Sequence, residues 1–266
     1  MKKWLGFVLL AVLLFPPLAG AQNKPALNAR SAILIDSRTA EVLYSKNSYY
    51  LMAPASTTKI MTAVLVLEKL KLDQTKTVSR QGAALEGTSM GLVSGEQRTI
   101  RDLLYGMMLV SGNDAAYELA RAVSGTESKF AELMTEKARM VGMKNTVFKN
   151  ASGLPAVGHY TTAYDLALLA RYALKVDGFA RVVSTKTKEV PGSKPGQVRK
   201  LTNHNKLLWR YSYATGMKTG YTRSAGGCLV SSATHNGRTL ISVVLKTQTI
   251  YDDTVKLFNY GFELRG

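Results

Sequence analysis

The sequence predicts an α/β fold of the α+β type, in which strands from both ends of the chain form one antiparallel sheet with helices on its faces. Strand signals occur before residue 50 and return after residue 200, whereas helical segments dominate residues 75–175 and predict an inserted helical subdomain. A cleft between sheet and insertion is a natural place for a site. The 266 residues, 46% hydrophobic and 20% charged, exclude a disordered chain, a collagen-like repeat and a disulfide scaffold.

The first 21 residues have the layout of a secretory signal. Lys2 and Lys3 form a basic head, residues 4–15 are an unbroken apolar run, and Ala19-Gly20-Ala21 is a small-x-small cleavage site. A membrane anchor is the alternative, but this run rises only ~18 Å as a helix, short of a bilayer core. We expect cleavage after Ala21, one domain over 22–266 and an extracytoplasmic protein.

The N-terminal half begins with two strands, 32–36 and 41–45, around a four-residue turn. A helix over 60–70 is apolar nearly all round and therefore predicted to be buried. Pro54 stops this helix from extending backwards, which puts its first turn near Ser56. Glycine, serine and asparagine breakers then separate four predicted helices, 99–110, 114–123, 127–141 and 162–174.

The C-terminal half begins with a basic, loop-like segment, 183–200. Asn236-Gly237 between the apolar runs 227–234 and 239–246 predicts a hairpin, and a last helix follows over 251–260. Cys228 is the single cysteine of the chain and lies in a predicted strand, where we expect a buried, inert thiol.

The motif Ser56-Thr57-Thr58-Lys59 has the spacing of a nucleophile and its base. Side chains three apart share a helix face, and the first turn favours developing negative charge. A lysine becomes a base only when burial or a neighbouring cation lowers its pKa. Because the following helix is apolar, we expect Lys59 to lie near a core or cleft, although the motif alone also occurs by chance on surface helices.

The motif Ser111-Gly112-Asn113 connects two predicted helices. In a short connection, both polar side chains can point into one cleft, where the hydroxyl would relay a proton and the amide would hold a substrate carbonyl. The alternative is a helix stop at Gly112 with Asn113 capping the next helix.

The motif Lys218-Thr219-Gly220 precedes the predicted hairpin. It offers a fixed positive charge, a hydroxyl for a carboxylate, and a glycine that lets another backbone approach closely. An ordinary exposed strand end is the alternative.

Together and in this order, the three motifs are far more specific than any one of them. The set S-x-x-K, an S-D-N-like motif and K-T-G is typical of penicillin-binding proteins and class A β-lactamases. Over about residues 30–262 the chain resembles the low-molecular-mass penicillin-binding proteins, the D-alanyl-D-alanine carboxypeptidases. Further matching segments are 150–154, 162–166, 202–208 and 216–222.

The resemblance implies the DD-peptidase/β-lactamase-like fold and a role for each motif residue. Ser56 would attack the peptide carbonyl between two D-alanines, and Lys59 would take its proton and later activate the deacylating water. Ser111 would pass a proton to the leaving amine, and Asn113 would bind substrate. Lys218 would hold the Ser111 hydroxyl and keep the pocket positive.

The resemblance also implies how the substrate is held. Thr219 would meet its terminal carboxylate, and the backbone N–H groups of Ser56 and Tyr221 would form the oxyanion hole. The substrate would lie along the strand that contains Gly220. Two features depart from relatives: residues 247–253 contain no arginine, and His204 stands where others have one.

The predicted function is a serine-type D-Ala-D-Ala carboxypeptidase that acts on peptidoglycan stem peptides without a cofactor and is acylated by β-lactams. The alternatives are a D,D-endopeptidase that cleaves crosslinks and, less favoured because no membrane span remains after signal removal, a non-catalytic β-lactam sensor. The three histidines have no metal-ligand spacing, so we predict no metal site. We also expect no C-terminal β-domain and no membrane anchor.

We expect a poor β-lactamase, because no glutamate occurs between Glu136 and Glu189 to activate the deacylating water. Asp165 lies in this gap at a helix start, where a capping role is expected.

The net charge of +17, from 35 Lys and Arg against 18 Asp and Glu, favours polyanionic surroundings. Export excludes nucleic acid as the partner, so we expect weak attraction to anionic wall polymers or a membrane surface, or simply a solvated basic face.

Overall fold

The computed structural model describes residues 23–264, so the predicted signal segment lies outside the described residues. The strands are β1 Ser31–Asp36, β2 Val42–Lys46, β3 Thr75–Thr77, β4 Gln97–Thr99, β5 Thr187–Pro191, β6 Val198–Thr202, β7 Ala214–Thr222, β8 Gly226–His235 and β9 Arg238–Thr247. The helices are α1 Lys59–Lys69, α2 Arg80–Ala83, α3 Ile100–Leu109, α4 Asn113–Ser124, α5 Glu127–Val141, α6 Ala163–Ala173, α7 Phe179–Ser184, α8 Leu207–Arg210 and α9 Ile250–Glu263. A 3₁₀ turn, Ala55–Thr58, runs directly into α1.

The main sheet joins the two ends of the chain. Its strand order is β2-β1-β9-β8-β7, with antiparallel pairing throughout, and the N-terminal strand β1 pairs with β9 from the C-terminal end. Asn236 and Gly237 both have positive φ, 47° and 74°, as a tight hairpin between β8 and β9 requires. The predicted fold class and hairpin are confirmed.

Helices cover both faces of this sheet because alternate residues of each strand point to opposite sides. Ile33 and Val243 join the large core beneath the helical subdomain, whereas Leu34 and Val244 join the smaller core beneath α9. Helix α1 is buried from Lys59 to Val66, which confirms the burial predicted from its apolar sequence.

The loop predicted over 183–200 is wrong, since this segment holds the end of α7 and the antiparallel hairpin β5–β6. Glycine, proline and serine mark only its turn, where Gly192 N donates to Gln197 O at 2.6 Å. The flanking strands form because Val190 and Leu201 are buried in the large core.

Two further expectations concern β7 and β8. The Lys218-Thr219-Gly220 motif does not end a strand: it lies within β7, which is an edge strand of the sheet. Cys228 is a buried free thiol, as predicted, and burial raises its pKa to about 11.

Candidate active site

Ser56 and Lys59 face each other across the 3₁₀ turn and the first residue of α1. The Nζ atom of Lys59 lies 3.1 Å from Oγ of Ser56. Lys59 is fully buried, whereas Ser56 is half-buried and borders an open cavity. The serine oxygen is therefore accessible to a ligand, and its neighbouring amine is not exposed to solvent.

Two further acceptors orient the Lys59 amine. Its Nζ donates to Oδ1 of Asn113 at 2.8 Å and to the carbonyl oxygen of Ser152 at 2.6 Å. A neutral amine has two N–H bonds and one lone pair. With both N–H bonds used by Asn113 and Ser152, the lone pair is left to face the Ser56 hydroxyl, which is the geometry of a general base.

The electrostatics favour that neutral amine. Burial, followed by the charge of Lys218, holds the pKa of Lys59 well below its usual value, and Asp114 offsets part of this shift. Lys218 is also buried, which lowers its own pKa to about 7. A lysine whose pKa is lowered by burial and a neighbouring cation can accept a proton from serine, which an ordinary ammonium cannot.

Ser111 lies between α3 and α4 with a φ of 63°, and it borders the same cavity. Among residues 23–264, its buried Oγ has no hydrogen-bond partner. The bond expected between Lys218 and Ser111 is not formed; Lys218 Nζ donates instead to the carbonyl oxygen of Thr219 at 3.0 Å. The Ser111 hydroxyl is therefore free to bond a ligand.

Asn113 is the first residue of α4, and Gly112 occupies the N-cap position, so the capping alternative for Asn113 is wrong. The Nδ2 atom of Asn113 donates to Glu86 O at 2.9 Å and its backbone N donates to Thr88 O at 2.7 Å. These bonds fix the side chain so that its oxygen faces Lys59, and they hold the 86–88 segment over the site.

Two glycines, Gly220 and Gly153, pack closely against the backbone of the 3₁₀ turn that carries Ser56. A Cβ on Gly220 of β7 would lie 2.9 Å from Ser56 N, and a Cβ on Gly153 would lie 1.8 Å from Ala55 O. Only glycine allows these approaches, and Gly153 also has a φ of +86°. Sequence reasoning missed the roles of Gly153 and Ser152, although the matching segment 150–154 contains both.

The cavity at this site has a volume of about 960 Å³. The predicted residues Ser56, Ser111, Thr219, Gly220 and Tyr221 line it. The other lining residues are Asn28, Thr88, His204, Gly226, Gly227, Lys246, Thr247, Gln248, Thr249, Ile250 and Tyr251. The structure thus brings all three motifs together at one cleft beside an edge strand.

Asp165 does not cap α6. Thr162 does so, accepting from Asp165 N at 3.0 Å, while the Asp165 carboxylate accepts from Asn145 N and Thr146 Oγ1, both at 2.7 Å. This carboxylate is buried and holds the 145–146 segment. It is therefore committed to structure rather than directed at the cavity.

Two properties of the described part of the chain bear on other functions. Residues 23–264 contain no group of three or more His, Cys, Asp and Glu residues placed to bind a metal ion. None of the helices in this range has the length and apolar character needed to cross a membrane.

The family model described as D-alanyl-D-alanine carboxypeptidase matches residues 19–249 of this chain. The chain belongs to the D-alanyl-D-alanine carboxypeptidase family. Enzymes of this family are cell-wall serine peptidases that act on D-Ala-D-Ala peptides through an acyl-enzyme, and β-lactams acylate them.

Several relatives support this assignment. D-alanyl-D-alanine carboxypeptidase DacF of Bacillus subtilis is 37% identical over 98% of this chain and 71% of its own length. The D-alanyl-D-alanine carboxypeptidase of Streptomyces sp. strain K15 is 36% identical over 92% of this chain and 91% of its own length. The crystal structure of the Streptomyces K15 DD-transpeptidase matches with a TM-score of 0.85 at 35% identity, covering 91% of this chain and 99% of the other.

Proposed function

We propose that the chain removes the terminal D-alanine from peptidoglycan stem peptides, with Ser56 as nucleophile and Lys59 as general base. The observation that carries this proposal is the Lys59 amine. It is buried, it lies 3.1 Å from Ser56 Oγ, and it donates to Asn113 and Ser152. This arrangement supplies a neutral base aimed at an accessible hydroxyl.

The other residues support the remaining steps. Ser111, with its unpartnered hydroxyl at the cavity, relays the proton from Lys59 to the leaving amine. Lys218 keeps the site positive, and Thr219 offers its hydroxyl to the substrate carboxylate. The backbone N–H groups of Ser56 and Tyr221 stabilise the oxyanion, and the peptide binds along the free edge of β7. Lys59 then activates the water that releases the acyl group.

A D,D-endopeptidase that cleaves crosslinks is the second candidate. The observation that favours it is the cavity of about 960 Å³, which continues from Thr219 to the 246–251 segment and leaves room for a leaving group larger than one alanine. Both reactions use the same Ser56 chemistry, so the leaving group alone separates them.

The proposed location is extracytoplasmic, periplasmic or secreted, because residues 1–21 have the pattern of a secretory signal. The charge of +17 supports weak attraction to anionic wall polymers or a membrane surface there.

Digestion of purified muropeptides by the mature protein tests the proposal. Release of free D-alanine from pentapeptides supports the carboxypeptidase, and conversion of crosslinked dimers to monomers supports the endopeptidase. Ser56→Ala is the matched control and should abolish either product. Products that persist with this variant contradict the assignment of Ser56.

A further inference from the structure

The active-site cavity continues past Thr219 over the face of the sheet on which α9 lies. Gly227 and the segment 246–251 form its far wall. Of the described residues that line the cavity, Lys246 is the only lysine or arginine, and none is an aspartate or glutamate. A cavity with one cation and no acid is suited to an anionic ligand.

The backbone at Lys246 turns its side chain away from regular strand geometry. In the pairing of β8 with β9, Cys228 faces Leu245 and Gly227 faces Thr247, so Lys246 is the extra residue of a bulge. Its φ is 55°, a value that a lysine rarely adopts. Bulges re-aim side chains next to active sites, and strained backbone of this kind clusters at functional positions.

The side chain of Lys246 lies beside the first residue of β8 and lines the active-site cavity. A Cβ placed on Gly226 would lie 3.4 Å from both Cα and Cγ of Lys246, so the lysine packs against a residue without a side chain. Two strand spacings, about 10 Å, separate β9 from β7. Lys246 and Thr219 line the same cavity across this distance, so one ligand can contact both side chains.

Among residues 23–264, Lys246 forms no ion pair with a carboxylate. The Asp253 carboxylate is fully buried and accepts from Asn28 N, Ala29 N and Thr247 Oγ1, so it is already used. His204 borders the cavity, but partial burial and the charge of Lys218 lower its pKa below the usual value near 6.5. At neutral pH, His204 therefore does not supply a second cation.

We propose that Lys246 binds the carboxylate of the terminal D-amino acid of the substrate, on the side opposite the Thr219 hydroxyl. This assignment rests on the proposed function. A lysine acts here as a point charge with a charge-assisted hydrogen bond to one carboxylate oxygen. Residues 247–253, at the start of the last helix of the chain, contain no arginine. Lys246 supplies the cation that pairs with the substrate carboxylate.

Two N-acylated tripeptides that end in D-Ala-D-Ala test this assignment, one with a free carboxylate and one with a C-terminal amide. Lys246→Gln should lower kcat/KM for the acid about tenfold, mainly through KM, and should change the amide less than twofold. Where the amide binds without cleavage, its Ki as a competitive inhibitor replaces KM.

Three controls separate charge from structure. Lys246→Arg keeps the cation and should retain most activity on the acid. Lys246→Asn suits the left-handed backbone but lacks the charge, so it should lose as much as Lys246→Gln. Lys129→Gln removes the charge of an exposed lysine on α5 and should leave both substrates unaffected.

Equal losses on acid and amide would show that Lys246 only maintains the fold of the bulge, and no loss on either would show that it does not meet the substrate; both results overturn the assignment. A wild-type protein that releases no D-alanine from the acid contradicts the proposed function itself, and this assignment with it.

Discussion

The carboxylate of Asp114 lies close enough to Lys59 to influence its pKa. The effect of replacing Asp114 by asparagine on the free energy of unfolding can be estimated from its hydrogen bonds. The buried carboxylate accepts from Ser89 Oγ at 2.5 Å, Met90 N at 3.1 Å, Leu92 N at 3.1 Å and Ala115 N at 2.8 Å. An amide oxygen can serve only about two of these donors. Each lost bond to a charged acceptor costs about 1.5–3 kcal/mol, so the variant should lose about 3–6 kcal/mol of unfolding free energy.

Thermal unfolding and a pH profile measure the result. For a chain of this size, the predicted loss corresponds to a fall in Tm of about 6–24 °C. Because the Asp114 charge raises the pKa of Lys59, its removal should also move the acid limb of kcat/KM to lower pH. Asp73→Asn, at an exposed loop residue, is the matched control and should change neither quantity. An Asp114→Asn variant with unaltered Tm and unaltered acid limb would refute the reasoning.

Two other substitutions test the catalytic centre. Lys218→Gln removes a charge that lowers the pKa of Lys59, so the acid limb of kcat/KM should move to higher pH, and a shift to lower pH would contradict this. Gly153→Ala places a Cβ 1.8 Å from Ala55 O and should slow β-lactam acylation at least about a hundredfold, since displaced backbone geometry removes the orientation of the reacting groups. Gly158→Ala is its control: φ is similarly positive at +77°, but the Cβ would meet only the flexible Lys149 side chain at 3.2 Å, so acylation should be nearly normal.

Local pattern was sufficient to predict four of the five strands of the main sheet and the longer helices. The strands that became β1, β2, β8 and β9 were predicted within one residue at each end, and so were α1 and α3 to α6. In these segments the hydrophobic period and the turn residues agree with burial in the folded chain. The hairpin β5–β6 was missed because its lysine, glutamate and proline residues have weak strand preference, and contacts of Val190 and Leu201 with the core stabilise it.

The catalytic centre was predictable only in part. Side chains with recognisable chemistry, such as Ser56 and Lys59, form motifs, whereas the Ser152 carbonyl that orients Lys59 is a backbone group with no sequence signature. The cation at the far wall of the cavity was missed for a different reason. Lys246 adopts a left-handed conformation that its residue type disfavours, and only the register of the completed sheet produces it.

Intact-protein mass after incubation with penicillin G tests the central claim most directly, namely that a neutral, buried Lys59 activates Ser56. The wild-type protein should gain one penicilloyl group, located by peptide mapping at Ser56, and retain it for minutes or longer, because none of the described residues that line the cavity is an aspartate or glutamate. Ser56→Ala should gain none, and Lys59→Ala should gain none in the same time while it remains folded. An adduct on another serine, normal acylation of Lys59→Ala, or rapid multiple-turnover hydrolysis without a lasting adduct would contradict the account.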